Sequence, residues 1–452
     1  MSTPYIILIV VSGITVLLLM VLKLKISAFI SLIVASILVG ILSGMPLSEI
    51  SLSIQKGMGG TLGFVATVVG LGAIFGQILE SSGGAESLAH YLLRKFGQSK
   101  ASWALMFTGF IVAIPVFLDV GLIIIIPIIY ALSRDTKRSL LYFGIPLLAG
   151  LAVAHSAIPP TPGPIAVASI LGVPLGWVIL FGIIIGLPTA IIAGPVFGKY
   201  ISGKINIQPS AKLTEDNTNK GSSGKLPSFW LIIILIVAPL ILIVLSTITG
   251  VMIKNNTIAE SVITEILIFL GHPFTALTIA TLLSIYLLGI KRGMPRQKIL
   301  NLSTKALGPA GIIILITGAG GVLKQILVDS GIGTIMAKSI ADSALSPILL
   351  AWILAAIIRV TQGSATVAMI TAAGIISPVL PLFNLDEPHL ALVVIAIATG
   401  ATILSHVNDS GFWLVSKYFG MNEKQTLQSW TVMETIISLC GLAFVLIASF
   451  II

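Results

Sequence analysis

Residues 120–132 read VGLIIIIPIIYAL, an apolar run without any alternation of polarity. A strand of a membrane barrel would alternate apolar and polar positions over about ten residues, so this run reads as helix. Working outward from it in both directions, similar runs follow one another from Tyr5 to Ile452. Each is near the roughly 20 residues that a helix needs to cross a hydrocarbon core. Hydrophobic residues make up 56% of the 452 and charged residues 9%, with a mean hydropathy of +1.12. Soluble domains carry charge on about a quarter of their residues. The fold class is therefore an all-α integral membrane protein.

The run from Tyr5 to Leu22 lacks a basic lead-in and a small-residue cleavage site, and reads as a retained helix rather than a signal peptide. The single cysteine, Cys440, lies in the last apolar run and is expected to be a small packing residue. Lys and Arg number 25 against 16 Asp and Glu. In a membrane protein that excess belongs to positive cytoplasmic loops, and no nucleic-acid partner is implied.

The polar stretch 198–228, GKYISGKINIQPSAKLTEDNTNKGSSGKLPS, divides the apolar mass. The domain expectation is a first membrane repeat over 1–198, a cytoplasmic linker over 199–227 and a second repeat over 228–452. The halves share signals in the same order: GQILESSGG (76–84) matches KQILVDSGIG (324–333), and AHSAIPPTPGP (154–164) matches SHVNDSGFW (405–413). Placing the clusters of Lys and Arg on one face makes 101–132 leave and return to the same side, as a re-entrant hairpin turning at IPVFLD (114–119). A second hairpin is expected over 345–380, around RVTQGSATVA (359–368). Each half then has about five crossing helices plus one hairpin, and an odd number of crossings inverts the second half. Two inverted repeats with broken helices at the midplane are an architecture of secondary transporters.

An ionisable side chain at the centre of a membrane helix costs at least about 2.5 kcal/mol, so such residues point to function. Asp119, His155, Arg359, His406 and Asp409 lie at the four interruptions. In AHSAIPPTPGP the four prolines break the helix and free carbonyls, together with the Ser156 and Thr161 hydroxyls, to face a ligand; Gly163 lies among them. In SHVNDSGFW, Asn408, Asp409 and Ser410 favour an unwound turn with donors and acceptors. Arg359 is a fixed cation with a planar fork suited to a carboxylate, followed by Thr361, Gln362, Gly363 and Ser364. It is equally suited to an ion pair with Asp119 or Asp409, and both readings hold if a ligand competes with the aspartate. The two histidines change charge near neutral pH when unperturbed, which suits proton carriers. His90, His272 and His389 fall near loops or ends and receive no role.

No GxxxxGK[ST] loop, HExxH or Cys/His cluster occurs, so ATP-driven transport and metalloprotease chemistry lack their residues. No catalytic residue, metal ligand or cofactor is assigned. GMGGTLG (57–63) is read as a turn into a close-packed helix.

IPVFLDVGLIIIIPI, HSAIPPTPGP, RVTQGSATVA and SHVNDSGFW, in this order around a mid-chain linker, resemble the gluconate permease family of bacterial proton symporters in the ion-transporter superfamily. The resemblance implies an inner-membrane, multi-pass carrier for gluconate or a related sugar acid, driven by protons as the coupling ion. It also implies a homodimer in which hairpins and broken helices form a mobile domain. The family includes carriers of other sugar acids and of D-serine, so D-serine is the alternative substrate. In this reading Arg359 and open helix ends hold the carboxylate, and Thr161, Thr361, Gln362, Ser364, Asn408 and Ser410 bond hydroxyls. Asp119, His155, His406 and Asp409 are the candidates for the proton.

Overall fold

The computed structural model describes residues 3–209, 226–332 and 346–452. Among these residues all regular structure is helical. The first half contains α1 (Thr3–Leu22), α2 (Ala28–Leu42), α3 (Leu47–Ser81) and α4 (Gly84–Phe96). It continues with α5 (Ala101–Val112), α6 (Leu118–Thr136), α7 (Leu140–Ala157), α8 (Pro162–Leu171) and α9 (Leu175–Lys204). The second half contains α10 (Phe229–Lys254), α11 (Val262–Gly271), α12 (Pro273–Arg292), α13 (Arg296–Asp329) and α14 (Pro347–Gln362). It closes with α15 (Ala365–Ile376), α16 (Glu387–Gly400), α17 (Ser410–Phe419) and α18 (Glu423–Ile451).

At both places where a hairpin is expected the chain forms two helices joined by a short turn. α5 has 12 residues, about 18 Å at 1.5 Å per residue, and cannot span a core of roughly 30 Å. The chain turns at 113–117, where Pro115 removes an amide donor and Phe117 is extended, and α6 follows. The arms are unequal, because α6 runs on for 19 residues to Thr136. The second pair, α14 and α15, turns within Gly363 and Ser364, and α15 has only 12 residues.

Two helices break as their sequences foretell. Leu140–Leu171 has the length and hydropathy of one crossing, but helix is interrupted at 158–161. Consecutive prolines 159 and 160 cannot continue α7, and Pro162 starts α8 at a position that tolerates it. In the second half the interruption covers 401–409, between α16 and α17. α7 and the second part of α16 are buried nearly all round, whereas α10 and α18 turn most of their surface outward. The broken helices and hairpins thus form the interior, and long apolar helices surround them.

α3 and α13 cross at glycines. A Cβ on Gly57 would lie 2.5 Å from the Gly321 carbonyl oxygen, and one on Gly321 would lie 2.6 Å from that of Gly57. GMGGTLG is accordingly not a turn: it lies inside the continuous helix α3 and lets two backbones touch. In water a glycine cluster breaks a helix, but in lipid helices associate through small residues.

Helix also continues into the stretch expected as linker. α9 runs on to Lys204, and Ser139 Oγ accepts from Ile207 N at 3.1 Å. The remainder of the linker, 210–225, lies outside the described residues, as do 333–345, which include the end of KQILVDSGIG and the first residue of the expected second hairpin.

Candidate substrate site

The two hairpin turns and the two breaks meet around a cavity of about 500 Å³. Its wall includes Asp119, His155, Ser156, Gly163, Arg359, Gln362, Gly363, Ser364, Asn408, Asp409 and Ser410. Eleven of the fourteen residues singled out from sequence are therefore brought together from four separate segments.

Arg359 anchors this arrangement. It is 3% exposed, and its Nη2 lies 2.5 Å from Asp409 Oδ2. Nη1 donates to the Gly363 carbonyl, while Nε is buried without a partner. The ion pair that the sequence allowed is therefore formed, with Asp409 rather than Asp119. Asp409 in turn caps α17, its Oδ1 accepting from Gly411 N at 3.0 Å, and accepts from Ser405 Oγ at 2.5 Å. Trp430 Nε1 donates to Ser405 Oγ at 2.7 Å, and Thr431 Oγ1 donates to the Ser405 carbonyl, which ties the break to α18.

Gly363 permits the turn on which this depends. Its φ of +82° is left-handed, and a Cβ there would lie 2.3 Å from the Asn408 carbonyl oxygen. The second hairpin thus touches the second break backbone to backbone. Asn408 Nδ2 donates to the Val360 carbonyl at 3.0 Å and reinforces the contact.

Four helices begin at the cavity wall: α6 at Leu118, α8 at Pro162 next to Gly163, α15 at Ala365 and α17 at Ser410. First-turn amides of a helix have no acceptor within it, and the aligned peptide dipoles make that end positive. Carboxylates already stand at two of these ends, Asp119 in the first turn of α6 and Asp409 capping α17; the ends of α8 and α15, with the buried guanidinium, favour an anion. His155 Nδ1 and both polar atoms of the Gln362 side chain are also buried without partners. Unpaired buried groups are costly, and a ligand bearing hydroxyls and a carboxylate would satisfy them.

Three sequence candidates stand elsewhere. Thr161 Oγ1 donates to the Ile158 carbonyl at 2.6 Å, and the residue faces α3 and the first hairpin turn beside Gly72 and Pro115. Thr361 Oγ1 returns to the Ile357 and Ile358 carbonyls at 2.9 and 3.0 Å. On α14 Arg359 and Gln362 are three apart and share a face, whereas Thr361 points away from it. His406 Nε2 is 3.1 Å from the Val360 carbonyl oxygen and is not on the wall. Ser156 is on the wall, but its hydroxyl donates to the Val153 carbonyl at 3.1 Å, leaving it to act as an acceptor.

The wall also contains residues that the sequence reading passed over: Thr366, Met369, Thr402, Trp430 and Glu434. Glu434 is 4% exposed, and its Oε1 has no partner. The criterion that selected Asp119 would have selected it too, since it is a lone acid in the apolar run of α18. A π-turn over Leu427–Thr431 lies just ahead of it and sets which residues of α18 face inward.

The model of the family described as GntP family permease matches residues 5–451. The gluconate permease of Pseudomonas aeruginosa is 41% identical over 94% of this chain and 94% of its own. The Gnt-II system L-idonate transporter of Escherichia coli is 37% identical over 97% of this chain and 98% of its own. Among solved structures, MtrF of Neisseria gonorrhoeae, titled as illuminating a class of antimetabolite efflux pumps, superposes with a TM-score of 0.62. It covers 88% of this chain and 83% of its own at 16% identity, a likeness of fold alone.

Proposed function

The chain belongs to the GntP permease family, a multi-pass protein of the bacterial inner membrane, and we propose from this that it imports gluconate or a closely related sugar acid together with protons. Relatives of high coverage are named for gluconate and for L-idonate, both polyhydroxylated carboxylates. The observation that supports this most is the buried Arg359 with its free Nε, set beside the N-termini of α8 and α15 and unpaired polar groups. The carboxylate of the sugar acid competes with Asp409 for the guanidinium fork, and Gln362, Ser364, Asn408 and Ser410 bond its hydroxyls. Thr161 and Thr361 are not offered as ligands, because their hydroxyls are directed into local backbone.

The same proposal includes the inverted repeat and the two membrane domains flanking the linker. α3 and α13, the two hairpins, and the two broken helices recur in one order in the two halves. Inversion brings equivalent helix ends from opposite sides to one midplane cavity. A homodimer belongs to the proposal too, and cross-linking in native membranes would test it.

One proton moving with one monoanion transfers no net charge, so such a cycle draws only on the pH gradient, about 1.4 kcal/mol per unit. In proteoliposomes an inward-directed proton gradient should drive accumulation of labelled gluconate, and a membrane potential alone should not. Accumulation that ignores the pH gradient would remove proton coupling from the proposal.

A further inference from the structure

Glu434 has no part in the account so far, although it is buried, bears an unpartnered carboxyl oxygen and stands on the cavity wall with Arg359 and Asp409. The other charged or titratable groups on that wall are Asp119 on α6, His155 on α7, Arg359 on α14 and Asp409 before α17. α9 and α16 also pack against α18 and place no charged group there. Two carboxyl groups, those of Glu434 and Asp409, therefore share the wall with one buried fixed cation, which Asp409 already occupies; Asp119, on the same wall, is exposed.

An entering monoanion adds a further negative charge beside the buried Arg359 and Glu434, where like charges repel more strongly than in bulk water. The site can take that anion at low cost only if one carboxyl is neutral. Asp409 is committed to Arg359, to Ser405 and to the first turn of α17, and Asp119 is exposed to water. Glu434 has none of these supports at Oε1. It also lies one helical turn from Trp430, which holds Ser405 and through it Asp409, so α18 touches the ion pair directly.

We propose that Glu434 is the coupling residue: it takes up a proton as the sugar-acid carboxylate reaches Arg359 and gives that proton up when the substrate leaves. The proton moves from water to a Glu434 oxygen and back, and no covalent bond of the substrate changes. Ionised Glu434 disfavours the anion and protonated Glu434 admits it, which makes the two bindings mutually dependent. The inference rests on the reading of Arg359 as the carboxylate anchor.

The test compares Glu434→Gln, Glu434→Asp and the unaltered protein in proteoliposomes, with labelled gluconate as the probe. Glu434→Gln mimics the protonated side chain. It should keep exchange of labelled for unlabelled gluconate within about threefold, less than one hydrogen bond at the upper end of its net range would change it. Accumulation driven by a pH gradient should fall to the level without a gradient. Retained accumulation in Glu434→Gln overturns the inference, and so does loss of exchange and accumulation together in a variant that is folded by size-exclusion chromatography. If Glu434→Gln does not fold, Glu434→Asp decides: its shorter carboxyl should shift the pH at which accumulation is half-maximal, and an unmoved profile overturns the inference. Failure of the unaltered protein to exchange gluconate would instead strike the functional reading beneath it.

Discussion

Replacing Arg359 by lysine keeps the charge and removes the fork, so it isolates what the guanidinium geometry contributes. Arg359 uses Nη2 for Asp409 at 2.5 Å and Nη1 for the Gly363 carbonyl, and keeps Nε free in a buried site. A lysine ammonium offers one compact donor group on a flexible stem and cannot meet Asp409, the hairpin turn and a substrate carboxylate in one plane. At least one charge-assisted hydrogen bond to the substrate is lost, about 1.5–3 kcal/mol. At 1.4 kcal/mol per decade this raises the apparent KM for gluconate roughly ten- to a hundredfold. Lysine is preferable to alanine, because truncation leaves the part-buried Asp409 without its cation, a cost of up to about 3–5 kcal/mol that would damage the fold itself. The assay is the concentration dependence of initial gluconate uptake in proteoliposomes, with thermal stability measured alongside. An unchanged apparent KM in a stable Arg359→Lys protein would refute the assignment of the carboxylate to Arg359.

Three further perturbations probe the scaffold. Gly363→Ala places a Cβ 2.3 Å from the Asn408 carbonyl oxygen at a φ of +82°, and should lower stability by at least about 1–2 kcal/mol and weaken uptake; wild-type melting and transport would contradict the hairpin contact. Gly321→Ala brings a Cβ to 2.1 Å from Thr61 Oγ1, whereas a Cβ on Gly308 of the same helix meets nothing within 4 Å. The first should cost about 1–3 kcal/mol as an overpacked contact and the second should be neutral or stabilising; equal melting temperatures would sink the proposed crossing. Asp386, outside the apolar spans, caps α16 by accepting from His389 N at 2.9 Å, and the His389 ring lies 2.7 Å away. Partial burial pushes its carboxyl up, but the backbone and ring hydrogen bonds of His389 and its charge outweigh this and hold it below its ordinary value. The folded-state value being the lower, the stabilisation is present above the unfolded value of about 3.9 and fades as pH falls through the folded one. Asp386→Ala should therefore cost about 1 kcal/mol at neutral pH and nothing in strong acid, as seen in melting curves taken across pH.

How far the sequence could be read depended on the kind of signal. Membrane helices, hairpin turns and breaks were legible because each follows from a local rule: apolar length, Pro115 and the prolines at 159 and 160, or the Asn-Asp-Ser-Gly run after His406. Those rules also located most of the cavity wall, since polar residues in interrupted membrane helices gather where backbone is unsatisfied. Thr361 is close to Arg359 in sequence but does not share its helical face, so it stands off the wall. His406 and Thr161 sit in irregular backbone, where no periodicity tells the direction of a side chain. GMGGTLG was misread because glycine means a turn in water and close packing in lipid. Glu434 was open to the same criterion as Asp119, whereas Trp430 lies in a π-turn of the last helix, where helical periodicity does not tell which residues face the break.

The most direct test of the account is counterflow of labelled gluconate in proteoliposomes, challenged with gluconate, L-idonate, glucitol and D-serine. The account predicts that the two sugar acids compete, that glucitol fails because it has hydroxyls and no carboxylate for Arg359, and that D-serine competes weakly at best. Counterflow that glucitol inhibits as well as gluconate does, or that D-serine alone inhibits, would contradict a site built around a sugar-acid carboxylate on Arg359.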